Sequence, residues 1–118
     1  MRSNVWLERN KKDIYVKKAK KDGYFSRSSY KLLEIEKKFK FISKSKNILE
    51  LGSSPGGWSQ VICKINNKAK INAIDLLRME FKNDQINFFK DDFLKFDFKK
   101  LNTKYDLILS DVAPNTTG

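Results

Sequence analysis

The stretch ILELGSSPGGWSQVI, residues 48–62, sets the tightest limit on what this chain can fold into. An apolar run ends in a glycine, two more glycines follow a proline, and apolar residues then recur at helical spacing through Trp58, Val61, Ile62 and Ile65. The pattern predicts a short buried strand, a tight turn and a helix. A backbone without Cβ takes positive φ and lets a ligand come close, while the helix that follows presents N–H groups with no intrahelical partner. Gly52, Gly56 and Gly57 are therefore expected to bracket a small molecule; the alternative is a tight connection without a ligand. The spacing departs from G-x-G-x-x-G, and G-x-x-x-x-G-K-[ST] is absent, so the ligand is expected to lack a pyrophosphate.

Upstream, DIYVKKAKK (13–21) predicts a helix with Ile14, Tyr15 and Ala19 on its apolar side, ended by Gly23, and a second helix is predicted over 28–39. Downstream, AKINAIDLL, INFFKDDF and YDLILSDVAPN have the composition of strands, and LKFDFKKLN that of a short helix or loop. Strands alternating with helices predict an α/β fold with a mostly parallel sheet, whose ligands collect beyond the carboxyl ends of its strands. Acidic residues fall at those ends. Asp75, 23 positions after Gly52, is placed to accept hydrogen bonds from a ribose diol, or else to cap a helix. Asp91 and Asp92 close the third strand, and Asp92 is the preferred partner for the amino group of a base. Asp111 ends the fourth, ahead of a loop stiffened by Pro114. One glycine-rich and three acidic strand ends suit a nucleoside.

Composition bears on the partner. The chain of 118 residues suits one domain, with a basic helical segment over 1–46 and alternating strands and helices over 47–118. Residues 1–46 hold 15 Lys/Arg against 5 Asp/Glu, whereas residues 47–118 hold 10 against 9. A polyanion docking on the first segment explains that asymmetry, through Lys17, Lys18, Lys20, Lys21 and Arg27; the competing explanation is a solvated lysine-rich face. Tyr15, Tyr24, Phe25 and Tyr30 lie among these charges and suit either base stacking or core packing. With one cysteine and no histidine, an internal disulfide is excluded, the usual zinc spacings are absent, and no metal is expected; Cys63 is expected to be a small buried residue. No apolar stretch approaches the ~20 residues of a membrane span, and the N-terminus lacks a secretory apolar block, so a cytoplasmic or organellar protein is expected.

In order along the chain, ELGSSPGGWSQ, DLL, DDF and SDVAPNTTG resemble the FtsJ/RrmJ-type RNA ribose 2′-O-methyltransferases. WLERNKKDIYVKKAKKDGYFSRSSYKLLEIEKKF is similar to that family's N-terminal segment, so the resemblance runs through the whole chain. It implies a Rossmann-like S-adenosylmethionine-dependent methyltransferase fold, incomplete at its C-terminus, with residues 47–118 as the first half of a larger sheet domain. It also implies that Gly56, Trp58, Asp75, Asp92 and Asp111 stand at cofactor-binding positions, with Gly52 in the same loop. Of the family's lysine–aspartate–lysine–glutamate catalytic set, Lys31 and Asp111 match the first two members. The other two come from strands beyond SDVAPNTTG, so this segment alone is expected to give no turnover. The implied partner is ribosomal RNA or the large ribosomal subunit, bound by a monomer without metal or membrane. The WLERN opening is closer to the branch acting on large-subunit ribosomal RNA, commonly on a uridine, than to the tRNA anticodon-loop branch. Two other readings stay open: an RNA-binding module with a vestigial cofactor pocket, and a small-molecule or protein methyltransferase whose basic segment serves solubility.

Overall fold

The computed structural model describes residues 14–111; the WLERN opening and the loop after Asp111, with Pro114, lie outside the described residues. A helix over 14–22 (α1) ends at Gly23, whose φ of 83° is the left-handed cap of a Schellman turn. Gly23 N–H donates to Lys20 O at 3.3 Å and Tyr24 N–H to Ala19 O at 2.8 Å. Ala19 is buried, but Ile14 and Tyr15 are 61% and 41% exposed, so the apolar side predicted for this helix shrinks to one residue. Helix α2 (Ser29–Phe39) buries Leu32 and Glu36 and leaves its terminal Phe39 exposed. The Glu36 carboxylate accepts from Ile42 N–H at 2.7 Å and Ser43 N–H at 3.3 Å, which folds the polar connector back under the helix.

Four strands follow: β1 (Asn47–Leu51), β2 (Lys70–Asp75), β3 (Ile86–Lys90) and β4 (Leu107–Ser110). Helix α3 (Gly57–Ile65) connects β1 to β2, and a 3-10 turn over Phe98–Leu101 precedes β4. All pairings are parallel, in the order β3-β2-β1-β4. The chain therefore moves outward from β1 to β3 and then crosses to the other side of β1, which puts the switch point between β1 and β4. Ile48, Leu49, Ile71, Ala73 and Ile74 are buried because the central strands of a parallel sheet are covered on both faces. Trp58, Val61 and Ile62 of α3 and Leu32 of α2 join the same core. Each fully buried aliphatic side chain of this kind contributes about 1.5–3 kcal/mol.

Three predicted strands prove shorter; β4 begins at Leu107, after Tyr105 and Asp106, and ends at Ser110. β2 stops at Asp75 because its Oδ1 accepts from Leu77 N–H at 2.8 Å, turning the backbone out of the ladder and leaving Leu76 and Leu77 exposed. β3 stops at Lys90, since Asp91 and Asp92 bond the backbone at Asp92 N and Leu94 N. Among the described residues no helix is long and apolar enough to cross a membrane.

Candidate functional site

Strand register carries the acidic ends to one edge. Leu51 pairs with Ile74 on one side and with Ser110 on the other, so the next positions, Gly52, Asp75 and Asp111, form a row across three adjacent strands. Gly52 N–H donates to Ile74 O at 2.8 Å and Asp111 N–H to Leu51 O at 3.4 Å, which extends the row past the strands themselves. Asp91 N–H donates to Asp75 O at 3.0 Å, bringing the end of β3 alongside.

The loop from Gly52 to Gly56 is held from below. Asp75 Oδ2 accepts from Ser54 N–H at 2.8 Å, Ser54 Oγ donates to Arg78 O at 2.8 Å, and Pro55 O accepts from Glu80 N–H and Phe81 N–H. Asp75 thus caps the turn after β2 and the glycine loop rather than a helix, the alternative that sequence offered, for no helix lies between β2 and β3; each carboxylate oxygen keeps a lone pair for a further donor. Two of the glycines have a packing reason of their own. Gly56 sits at φ 126°, and a Cβ there would lie 2.5 Å from Phe81 Cβ. At Gly57 a Cβ would lie 2.7 Å from Ser29 Oγ and 2.8 Å from Ser26 Cβ, so the start of α3 touches the N-terminal segment directly.

That contact is a seam of hydrogen bonds. Ser29 Oγ donates to Gly57 O at 2.9 Å and Trp58 Nε1 to Ser28 O at 2.9 Å. Gln60 accepts from Phe25 N–H at 2.8 Å and donates to Gly23 O at 3.0 Å. The Trp58 side chain is buried in the core. Above the seam opens a cavity of about 460 Å3, lined by Tyr15, Arg27, Ser28, Lys31, Glu34 and Asp111. Lys31, Arg27 and Asp111 are thus brought together, whereas Gly52, Asp75 and Asp92 lie toward the β2 and β3 side and do not line it. Lys17, Lys18, Lys20 and Lys21 are exposed along α1, with Lys18 Nζ 4.9 Å from the centre of the Tyr30 ring. Tyr30 also packs against Tyr15 and Tyr24 at 5.8 and 5.5 Å, so these rings chiefly hold one another.

Sequence reasoning missed Glu50. It sits in β1, 1% exposed, with Ser59 Oγ 2.6 and 2.9 Å from its two oxygens. Burial pushes its carboxyl up to about 7; the Ser59 hydrogen bond opposes this, and the Asp111 and Asp75 carboxylates reinforce it. The signal was an acid inside the apolar strand NILEL, a place where a charge is costly. Beside it, Ser53 Oγ is buried with no hydrogen-bond partner among the described residues. An orphaned hydroxyl in the glycine loop is the kind of group that a bound polar ligand satisfies. Asp92 is half-buried, and only its Oδ1 is engaged among the described residues. These groups suit a ligand that carries both hydroxyl or amino donors and polar acceptors. Among the described residues, no cluster of three or more His, Cys, Asp or Glu is arranged to hold a metal ion.

Known proteins share the sequence pattern and the fold. Residues 24–118 match the model of the FtsJ-like methyltransferases. The chain is 45% identical to the ribosomal RNA large subunit methyltransferase E of Coxiella burnetii over 98% of its own length, and 44% identical to the Pseudomonas fluorescens protein of the same name over 96%. It spans 59% and 57% of the length of those relatives. A crystal structure from Plasmodium falciparum, designated a ribosomal RNA methyltransferase, superposes with a TM-score of 0.69 at 33% identity, covering 80% of this chain and 59% of that one. A glycine turn at the switch point, acids in register beside it and a family match across both make the conclusion direct: the chain belongs to the FtsJ-like methyltransferase family.

Proposed function

We propose that the full-length protein transfers a methyl group from S-adenosylmethionine to a ribose 2′-hydroxyl of large-subunit ribosomal RNA, at a uridine. One observation carries the reading: Lys31 and Asp111, 80 positions apart in sequence, line a single cavity at the switch point of a parallel sheet. The names of the Coxiella and Pseudomonas relatives support ribosomal RNA as the substrate class.

Bound beside that cavity, along the carboxyl ends of the strands, the cofactor would supply an electrophilic methyl group on a sulfonium sulfur. Gly52, Gly56 and the backbone of Trp58 form its cradle, where N–H groups in the first turn of α3 suit a carboxylate. Asp75 accepts from the ribose diol, Asp92 from the adenine amino group through its unengaged Oδ2, and Asp111 closes the row. Lys31 donates to the target ribose, and Asp111 across the cavity orients that ammonium group. Arg27 at the rim and Lys17, Lys18, Lys20 and Lys21 on α1 hold phosphates, so residues 1–46 act as the RNA-facing part of the same domain.

The test is Lys31→Ala in the full-length enzyme acting on undermethylated large ribosomal subunits. Methyl incorporation should fall at least about 100-fold, with calorimetric affinity for S-adenosylmethionine unchanged within about twofold. An unaffected rate removes Lys31 from the chemistry. Mass mapping of the product should locate the methyl on a ribose; a methylated base, or methylation of tRNA in preference to the subunit, overturns the assignment.

A further inference from the structure

At the opposite end of the sheet from the cavity just described, the amino ends of β1 and β2 frame a second concavity of about 510 Å3. Lys44 and Lys46 come to it from the connector before β1, Lys68 from the connector before β2, and Lys70 from the first position of β2 itself. Sequence analysis assigned the basic footprint to residues 1–46, but folding gathers these four lysines from both halves of the chain.

The backbone beneath them is fixed. Asn66 Nδ2 donates to Ile42 O at 3.0 Å and Ser45 O at 2.7 Å, and its Oδ1 accepts from Lys68 N–H and Ala69 N–H at 3.1 Å. Lys70 N–H donates to Lys46 O at 2.8 Å, tying one connector to the other. None of the residues lining the concavity is acidic. Asp106 stands nearby, but its carboxylate accepts from Lys46 N–H at 2.7 Å and Asn47 N–H at 2.9 Å, and its charge offsets one lysine at most. The carboxyl-terminal end of α3 lies here too and attracts a cation, which accounts for one lysine rather than four. Four exposed lysines line one concavity whose lining holds no acid, and their like charges favour an anion there.

We propose that this concavity is a second phosphate-binding site, engaging the backbone of folded RNA while the target ribose occupies the cavity at the other end. The proposal rests on the RNA methyltransferase reading above. The five residues of β1 alone separate the two ends by about 15 Å, too far for one nucleotide and within reach of a folded RNA.

The test compares the full-length protein with two charge-matched variants for binding to transcribed large-subunit ribosomal RNA across a salt titration. One variant carries Lys44→Gln, Lys46→Gln, Lys68→Gln and Lys70→Gln. The other carries Lys82→Gln, Lys95→Gln, Lys99→Gln and Lys100→Gln, exposed lysines elsewhere. Unchanged melting midpoints certify the folds. Each lost phosphate contact flattens the slope of log K against log salt by about 0.7–0.9, so the first variant should lose about 3 and bind at least about tenfold more weakly, and the second should lose far less. Equal losses in both variants reduce the effect to net charge and overturn the site. An affinity lost for the assembled subunit but kept for protein-free RNA shifts the partner to a protein and overturns it as well. If the unsubstituted protein itself binds no RNA, the underlying reading fails first; if it binds and the pocket variant matches it, only this inference fails.

Discussion

Replacing Glu50 with glutamine should remove one specific pH dependence from the stability of the protein. In the folded protein the Glu50 carboxyl titrates at about 7 instead of 4.5, chiefly because it is buried. It therefore holds its proton more tightly folded than unfolded. Its contribution to stability is fully present below pH 4.5 and is lost as pH rises to about 7, where a buried charge must form. At about 1.4 kcal/mol per pH unit, that window is worth roughly 3 kcal/mol. Glutamine does not titrate, yet it keeps an acceptor for the Ser59 hydroxyl and a donor where the protonated acid had one. The two full-length proteins should therefore be equally stable within about 1 kcal/mol at the acidic end. Glu50→Gln should be the more stable by roughly 3 kcal/mol at the alkaline end. Urea denaturation at a series of pH values, followed by tryptophan fluorescence, gives both curves, and other titrating groups cancel in the difference. A difference that stays constant with pH would mean that Glu50 ionises normally inside the sheet, refuting the assignment of burial as the dominant influence.

Three further outcomes are expected. Gly57→Ala should cost about 1–3 kcal/mol in the same denaturation assay, because the new methyl meets Ser29 Oγ and Ser26 Cβ below 3 Å; a neutral result would show that the seam has slack. Trp58→Phe should cost about 1 kcal/mol by leaving Ser28 O without its indole donor, and a stabilised variant would contradict that bond. Burial pushes the Cys63 thiol up to about 11, with the Glu50 charge adding to the effect. Two units above an ordinary thiol leave about 100-fold less thiolate, so peptide mapping after iodoacetamide at neutral pH should find this residue slow; rapid labelling refutes it.

The parallel sheet was legible because NILEL and the residues after it carry two periodicities, one strand-like and one helical, separated by punctuation that only a turn explains. Strand ends were harder to find. Asp75 and Asp106 stop or delay their strands by accepting backbone hydrogen bonds, and such side-chain competition with the ladder has no hydropathy signal. Cys63, read as buried, is only half-covered at the flank of α3. The row of Gly52, Asp75 and Asp111 followed from strand ends, but which acid faces which cavity depends on strand order, and sequence does not state that β4 crosses to the far side of β1. Glu50 and the lysine concavity escaped for a related reason. Each is made by residues that look ordinary alone, and only folding takes water from the first and brings the second together.

The seam between the N-terminal segment and α3 has a mechanical consequence. Three side chains, Ser29, Trp58 and Gln60, together with the close approach allowed at Gly57, clamp the segment from Gly23 to Ser29 to the glycine turn. Lys31 cannot swing as a separate arm, and its aim is inherited from the same few atoms that shape the turn. Under the function proposed above, an engineer seeking a roomier glycine loop would find the lysine displaced with it, so altered cofactor scope and altered reach toward the sugar would have to be selected as one trait.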